Sequence, residues 1–206
     1  MIKGVLILFV LVIAVSSCTN DKKENRLDEA YNNKLKQERE NKDWEMKHDS
    51  HSPFNVDTAA HHIPLKYFEP SAEFIFKSKL FKYNDQDTVS VFGTKGEERK
   101  AIKTGYVILN YDGKEYNLNI YKSFGRDGQE YYSIWFTDQT TGKESYHVGR
   151  YIDFKINPNP DFEYTIDFNR AYNPYCAYSD KFTCPIPRKE DYIDFAIRAG
   201  EKNFHK

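Results

Sequence analysis

Apolar and polar residues alternate with a period of two along most of the chain beyond Pro70. In the stretch 73–83, for example, Phe74, Phe76 and Leu80 share one face. Alternation of this kind predicts half-buried β-strands, and it recurs in runs that are rich in aromatic and β-branched residues. The pattern predicts seven strands, over residues 73–83, 88–92, 102–111, 115–121, 131–136, 145–154 and 162–168.

Short polar turns separate the predicted strands. Asp112-Gly113 lies between two of them, and a type I′ hairpin turn needs positive φ at both of its central positions. Asp127-Gly128 and Thr141-Gly142 interrupt the chain in the same way. Short connections imply that sequential strands pair antiparallel. We therefore predict a mainly β fold, in which an antiparallel meander forms a barrel or a strongly twisted sheet.

The end of the chain has a different pattern. After Pro187, the segment 189–201 is rich in apolar residues, and Gly200 follows the last of them, where helices often have a glycine. This pattern predicts a C-terminal helix packed on the sheet. The apolar residues of the predicted helix are Tyr192, Ile193, Phe195, Ala196, Ile197 and Ala199.

The first 17 residues have the pattern of a secretory signal. Lys3 precedes an unbroken apolar stretch over 5–15, and small residues follow it. The stretch is too short for a transmembrane helix, which needs about 20 apolar residues. Val15-Ser16-Ser17-Cys18 resembles the bacterial lipobox, whose cysteine is acylated and becomes the first residue after the signal is cut. An ordinary secretory signal with an incidental cysteine is the alternative.

Acylation at Cys18 implies a place in the bacterial cell envelope. Two or more acyl chains, such as palmitate, anchor a protein stably, because each buried CH₂ contributes about 0.8 kcal/mol. We expect the mature chain to begin at Cys18 and to be attached to a membrane by lipid. Because Thr19 stands where an aspartate would favour retention in the inner membrane, we favour the outer membrane, with the body facing the periplasm or the cell surface.

Residues 18–47 form the second predicted unit, a lipidated cysteine followed by a charged tether. Leu27, Ala30, Tyr31 and Leu35 have helical spacing there, but the apolar stripe is narrow. A solvated spacer and a partner-binding helix both fit this pattern. Pro53 disfavours the helical conformation in the residue before it, so we expect the β-rich globular domain to occupy residues 48–206.

The charge and aromatic content of the chain indicate which kinds of partner it can bind. The chain has 30 Lys and Arg against 31 Asp and Glu, which gives a net charge of -1. No overall field therefore attracts nucleic acid. Aromatic residues make up 16% of the chain, which is too many for a disordered protein and suits half-buried β surfaces. We expect a membrane contact through the lipid anchor, an envelope ligand or protein partner of unknown identity, and no nucleic acid.

A group of polar residues falls near the ends of two predicted strands. If these strands are neighbours, the Arg150 guanidinium could donate two parallel hydrogen bonds to the Asp167 carboxylate. One interpretation is that this pair locks the loop at Asn173-Pro174. The other is a polar cleft for an anionic or glycan-like ligand, with aromatic rings against sugar faces. The ligand-binding candidates are Asp138, Arg150, Asp167, Asn169, Arg170, Tyr172 and Asn173.

The same region leaves a catalytic alternative open. In an envelope hydrolase, Asp138 and Asp167 would act as acid and base, which requires their pKa values to be driven apart. Asp138 also fits the start of a turn. The sequence contains no nucleophile elbow, phosphate loop or dinucleotide fingerprint. We favour a non-catalytic binding module with its cleft near Arg150 and Asp167, leave a structural or assembly role open, and predict no cofactor and no metal ion.

Cys176 and Cys184 enclose seven residues. In an oxidising compartment such a pair predicts a disulfide, which would stabilise the fold by roughly 2.5 kcal/mol. A redox pair and a metal site are the alternatives, although redox pairs more often have Cys-x-x-Cys spacing.

Ordered motifs in the second half of the chain are similar to those of one family. They are Phe-x-Asp at 136–138, Gly-Arg-Tyr at 149–151, Asp-Phe-Asn-x-Ala-Tyr-Asn-Pro-x-Cys at 167–176, Cys-Pro-x-Pro at 184–187 and Ala-Gly-Glu-Lys at 199–202. With these motifs the chain resembles the bacterial domain of unknown function 1684, over roughly residues 44–202. It departs from that family at His147-Val148 and at Arg188. The resemblance implies a fold and an envelope setting, and no reaction.

Overall fold

The computed structural model describes residues 27–125 and 128–205. The predicted signal, the lipidation site at Cys18 and the start of the tether lie outside the described residues, as does Asp127 of one predicted turn. No helix within the described ranges is long and apolar enough to cross a membrane. The described chain is mainly β, with one long helix near its N-terminal end.

The described ranges contain two α-helices, eight β-strands and four short 3₁₀ turns. The α-helices are α1 (Glu29–His48) and α2 (Pro53–Val56). The strands are β1 (Ile75–Lys79), β2 (Phe81–Phe92), β3 (Glu98–Tyr111), β4 (Lys114–Phe124), β5 (Glu130–Asp138), β6 (Arg150–Phe154), β7 (Glu163–Asp167) and β8 (Tyr192–Ile193). The 3₁₀ turns are Ala72–Phe74, Phe168–Arg170, Tyr175–Ala177 and Lys189–Asp191.

Strands β2 to β6 form the predicted antiparallel meander, in which each strand pairs with the next one along the chain. Asp112 and Gly113 have φ values of 48° and 72° between β3 and β4, as the predicted hairpin turn requires. Of the two predicted forms, a barrel and a strongly twisted sheet, the barrel is wrong, because the sheet is not closed within the described residues. The first predicted strand divides at Leu80, so that β1 pairs with β7 in a separate sheet, and β2 and β6 remain edges of the larger one.

The larger sheet buries apolar side chains on both faces. On β5, Ile134 and Phe136 belong to the main core, together with residues of β1, β7 and the C-terminal segment. Trp135 belongs to a second core and stacks on Tyr121, with 4.4 Å between the ring centres. Because successive side chains of a strand point to opposite faces, the continuous apolar run on β5 supplies both cores.

The predicted C-terminal helix is wrong. The segment 189–201 forms a 3₁₀ turn, then β8, which pairs parallel with β5, and then an extended stretch. Burial alternates over residues 193–199, where the buried residues are Ile193, Phe195, Ile197 and Ala199. That is the period of a strand. The carbonyl groups of Ile197 and Ala199 accept hydrogen bonds from Arg150.

Helix α1 packs against the folded body. It begins after Asp28, whose carboxylate accepts a hydrogen bond of 2.6 Å from the backbone N–H of Tyr31. Leu35 and Met46 are the buried residues of the helix, and Met46 joins a third core that includes Tyr178 and Phe204. The segment predicted to be a tether therefore contains a helix that is in contact with the β-rich body.

Candidate functional site

Arg150 lies in the interior, fully buried at the start of β6. Its Nη2 donates hydrogen bonds of 2.8 Å to the Asp138 carboxylate and 2.8 Å to the carbonyl oxygen of Ile197. Its Nη1 donates to the carbonyl oxygens of Ala199 and Glu201. Burial lowers the pKa of the Arg150 guanidinium, and the adjacent Asp138 carboxylate opposes this effect. Arg150 is therefore a clamp that fixes the C-terminal segment to the sheet.

The expected pair of Arg150 with Asp167 does not form. In the meander, Arg150 on β6 stands opposite Phe136 on β5, two residues before Asp138. Asp167 ends β7, which belongs to the other sheet. The strand that follows Arg150 in the sequence is therefore not its neighbour in the sheet, and the guanidinium pairs with Asp138.

Asp138 has no free carboxylate oxygen. Oδ2 accepts the hydrogen bond from Arg150, and Oδ1 accepts bonds of 2.6 Å from the backbone N–H of Thr140 and 3.3 Å from that of Ile197. The side chain is fully buried. Asp138 thus starts a turn and neutralises Arg150, and it does not share a cavity with Asp167 as the acid–base alternative requires.

Asp167 joins helix α1 to the end of β7. Its Oδ2 accepts hydrogen bonds from the Tyr31 hydroxyl, at 2.8 Å, and from Arg170. Its Oδ1 accepts bonds from the backbone and side-chain N–H groups of Asn169, at 3.0 and 3.1 Å. Asn169 in turn bonds both backbone groups of Ser71 at 2.9 Å. These contacts position the chain on one side of an open groove.

The groove runs between α1 and the residues after β7, and we call it the α1 groove. It has a volume of about 540 Å³. It is lined by Leu35, Glu38, Arg39, Asn41, Lys42, Glu45, Tyr67, Asp153, Asn169, Arg170, Ala171, Tyr172, Tyr175 and Glu201.

A buried carboxylate forms the floor of the α1 groove. Glu201 is 1% exposed and accepts a hydrogen bond of 2.6 Å from the Lys42 ammonium group on α1. It also accepts bonds from the backbone N–H of Asn173, at 2.9 Å, and from the Tyr178 hydroxyl. The Asn173 amide donates to the carbonyl oxygen of Lys202 at 2.8 Å. The loop at Asn173-Pro174 is therefore locked, by Glu201 and Lys202 rather than by Arg150.

Two tyrosines form one wall of the α1 groove. The Tyr172 hydroxyl donates a hydrogen bond of 2.6 Å to Asp153, and the Lys42 ammonium lies 4.6 Å from the centre of the Tyr172 ring. Burial, followed by the Asp153 charge, raises the pKa of Tyr172 well above its ordinary value, so the hydroxyl stays protonated and donates. Tyr175 is 44% exposed at the edge of the groove.

All three cationic side chains that line the α1 groove are already engaged. Lys42 pairs with Glu201. Arg170 bonds Asp167 and, at 2.9 Å, Glu38. Arg39 donates to the carbonyl oxygens of Phe68 and Asn169 at 3.2 and 3.3 Å. The charges of Lys42 and Arg170 are thus compensated by carboxylates of the protein, and Arg39 is held by backbone carbonyls. Asp153 and Glu45 lie at the exposed rim of the groove.

The structure divides the predicted ligand-binding residues into two groups. Asn169, Arg170 and Tyr172 line the α1 groove, and Asp167 borders an adjoining cavity of about 240 Å³. Asp138, Arg150 and Asn173 are buried and hold the backbone.

Four residues of the groove were not predicted from the sequence: Lys42 on α1, Asp153 on β6, Tyr175 in a 3₁₀ turn, and Glu201 in the C-terminal segment. Two signals pointed to Glu201 and Lys42. Glu201 lies in the Ala-Gly-Glu-Lys motif, and Lys42 follows Leu35 by seven residues and precedes Met46 by four, on one helical face.

Cys176 and Cys184 are free thiols, so the structure does not contain the predicted disulfide. The two residues are nevertheless in contact, since the backbone N–H of Cys176 donates to the Cys184 sulfur at 3.4 Å. No cluster of three or more His, Cys, Asp or Glu residues that could hold a metal ion occurs in the described ranges.

Comparisons with known proteins add a family and a fold. A family model described as a protein of unknown function (DUF1684) matches residues 61–202. The solution NMR structure of an uncharacterized protein of Haloarcula marismortui is similar, with a TM-score of 0.61 and 26% sequence identity, over 84% of this chain and 95% of that chain. No curated protein matches the sequence. These findings support the fold and assign no activity.

Proposed function

Because this chain belongs to the DUF1684 family of proteins of unknown function, we propose a function from its own residues. The protein is a lipid-anchored module of the bacterial envelope that binds a hydroxyl-rich ligand, of the glycan class, in the α1 groove and does not transform it. The outer membrane is the favoured location.

The anchor rests on the first 18 residues. A basic residue, an apolar stretch and Val15-Ser16-Ser17-Cys18 together have the arrangement of a lipoprotein signal. Acylation of Cys18 would hold the chain at a membrane by lipid alone, without a spanning helix.

The lining of the α1 groove supports a neutral, hydroxyl-rich ligand over an anionic one. An anion would have to compete with Glu201 for Lys42 and with Glu38 and Asp167 for Arg170. Hydroxyl groups, in contrast, can donate to carboxylates such as Asp153 and Glu45. The face of a sugar ring is apolar and packs on aromatic rings such as Tyr175.

The carboxylates argue for binding without catalysis. Asp138 is buried and fully hydrogen-bonded, and Asp167 is paired with Arg170 and Tyr31. A hydrolase of the predicted kind needs both carboxylates beside one substrate. The observation that carries the proposal is the open α1 groove, in which exposed tyrosine and carboxylate groups lie together, Lys42 and Arg170 are already paired with carboxylates, and Arg39 is bonded to backbone carbonyls.

The test is a binding experiment with the full chain in detergent micelles. An array of neutral and N-acetylated oligosaccharides is screened, and hits are measured by isothermal titration calorimetry. We expect Tyr175→Ala to weaken binding about tenfold, which corresponds to ~1.4 kcal/mol for loss of one aromatic contact.

Phe124→Ala is the matched control, because Phe124 is another exposed aromatic residue, 58% exposed, outside the groove. It should leave the affinity unchanged. Absence of any oligosaccharide binding, or equal affinity of the two variants, would contradict the glycan assignment. Hydrolysis of a bound oligosaccharide would contradict the non-catalytic assignment.

A further inference from the structure

Cys176 and Cys184 meet at the junction of two cores. Cys176 is partly exposed in the 3₁₀ turn Tyr175–Ala177, and Cys184 is buried beside Trp135 and Tyr151. The backbone N–H of Cys176 points to the Cys184 sulfur at 3.4 Å. The loop that carries Cys184 is bonded to the strand end after β2, where Thr94 Oγ1 accepts a hydrogen bond of 3.3 Å from the Cys184 N–H. The Cys176 thiol is therefore accessible to solvent, and the Cys184 thiol is buried next to it.

The reachable thiol opens to a groove of about 660 Å³, separate from the α1 groove. Its lining includes Cys176, Tyr146, His147, Lys95 and Phe182. The Tyr146 hydroxyl lies 3.7 Å from the Cys176 sulfur and 3.1 Å from the carbonyl oxygen of the same residue. A partly exposed sulfur that accepts hydrogen bonds is more readily ionised than a buried one, and the thiolate is the reactive form of cysteine.

The two thiols also differ in pKa. Hydrogen bonding by Cys184 lowers the pKa of the Cys176 thiol to about 7. The same contact raises the pKa of Cys184, and burial adds to this effect. Near neutral pH the partly exposed sulfur of Cys176 is thus the one that ionises, and the buried Cys184 keeps its proton.

We propose that Cys176 and Cys184 form a redox-active dithiol that reduces disulfides entering the groove beside Tyr146 and Lys95. The Cys176 thiolate attacks one sulfur of a disulfide R–S–S–R′. The S–S bond breaks, R′S⁻ leaves and takes up a proton, and a mixed disulfide joins Cys176 to R. Cys184 then loses its proton and attacks the Cys176 sulfur, which releases RSH and forms the Cys176–Cys184 disulfide. The substrate gains two electrons, and the pair loses them.

The test uses the purified full chain in detergent micelles, reduced and freed of reductant, with the aromatic disulfide dithiobis(nitrobenzoate) as the probe. For the native wild type we expect release of two thiolate equivalents, with a Cys176–Cys184 disulfide and no adduct as the product. Cys184→Ser should release one equivalent and retain an adduct on Cys176. Cys176→Ser should slow the native reaction at least about tenfold, because its remaining thiol is buried. Peptide mapping by mass spectrometry assigns each product and separates any contribution of Cys18.

Alkylation of Cys176 by iodoacetamide supplies a second readout. Its rate should rise with pH through a midpoint near 7, below the ordinary cysteine value of about 8.5. Besides Cys184, the titratable groups around the thiol are Tyr146, Lys95, His147 and Asp180. Two stable adducts on the native wild type, reaction of Cys176→Ser at the wild-type rate, or a pair that reacts only after unfolding would overturn the proposal.

Discussion

Arg150 shows how one buried side chain can satisfy several backbone carbonyls of an extended segment. The guanidinium has five donors in a planar fork, and four of its hydrogen bonds go to Asp138 and to the carbonyl oxygens of Ile197, Ala199 and Glu201. Without it, these buried acceptors would lose their partner at the same time. Arg150 therefore contributes to stability, although the sequence predicted it to be a ligand-binding residue.

We predict that Arg150→Met lowers the free energy of unfolding by about 3–5 kcal/mol, because it leaves the Asp138 charge buried and unpaired. Arg198→Met is the matched control. Arg198 pairs with Glu144 at the surface, where the two side chains are 59% and 42% exposed, and such pairs contribute at most about 1 kcal/mol. Urea unfolding followed by tryptophan fluorescence measures both variants. Equal losses in the two variants would show that Arg150 is no clamp.

At the scale of elements, the C-terminal segment owes its path to a close approach at Gly200. Its φ is +74°, and a Cβ built there would lie 2.5 Å from the carbonyl oxygen of Ala171 and 2.7 Å from that of Phe168. The sequence pattern predicted that this glycine ends a helix. It is instead the point at which an extended chain passes against another backbone, next to the floor of the α1 groove.

Gly200→Ala should therefore destabilise the fold more than Gly113→Ala. Gly113 has a φ of +72° but no atom within 4 Å of a built Cβ, so its substitution costs only the left-handed conformation, about 1–2 kcal/mol. The overlap at Gly200 adds a further ~1–3 kcal/mol of overpacking. Thermal unfolding of both variants, followed by circular dichroism, measures the difference. Similar melting temperatures would mean that the backbone at Gly200 moves without cost.

Elements were predictable from the sequence where the signal is local. The Asp112-Gly113 turn and the strands β3, β4 and β5 were predicted from residues within short stretches of the chain, and these predictions are confirmed. The prediction for the C-terminal segment was wrong because its apolar residues fit the helical period and the strand period equally. Only pairing with β5 decides between the two. The predicted pair of Arg150 with Asp167 was wrong for a related reason, because the order of strands in a sheet need not follow their order in the chain.

Helix α1 was the least predictable element of the site. Its apolar stripe is narrow, and polar contacts supply much of its attachment, through Tyr31, Arg39 and Lys42. Charged residues in such a pattern ordinarily indicate a helix that is exposed to solvent on most of its surface. The groove exists only because this helix lies against the body, so its lining could not be assembled from the motifs after β7 alone.

At the scale of the whole molecule, the proposed anchor is close in the chain to α1, which forms one side of the α1 groove. Nine residues lie between Cys18 and the helix cap Asp28, which makes ten Cα–Cα steps. A chain of that length spans at most about 35 Å, since each residue extends by no more than ~3.6 Å. A lipid on Cys18 would therefore keep the N-terminal end of α1, and the groove beside it, within reach of glycans close to the membrane surface.

The anchor predicts a specific response to substitution of one cysteine among three. Cells fed an alkyne analogue of palmitate should label the wild-type chain, and Cys18→Ser should abolish that label. Cys184→Ser should retain it, because that thiol is buried in the folded body. In-gel fluorescence after click coupling measures the label, and the mass of the N-terminal peptide gives the number of acyl chains. One acyl chain alone gives marginal attachment, whereas two or more give stable anchoring. A label that persists in Cys18→Ser, or a wild type without acylation, would contradict the proposed lipid anchor. The α1 groove would then have to be explained without attachment to a membrane.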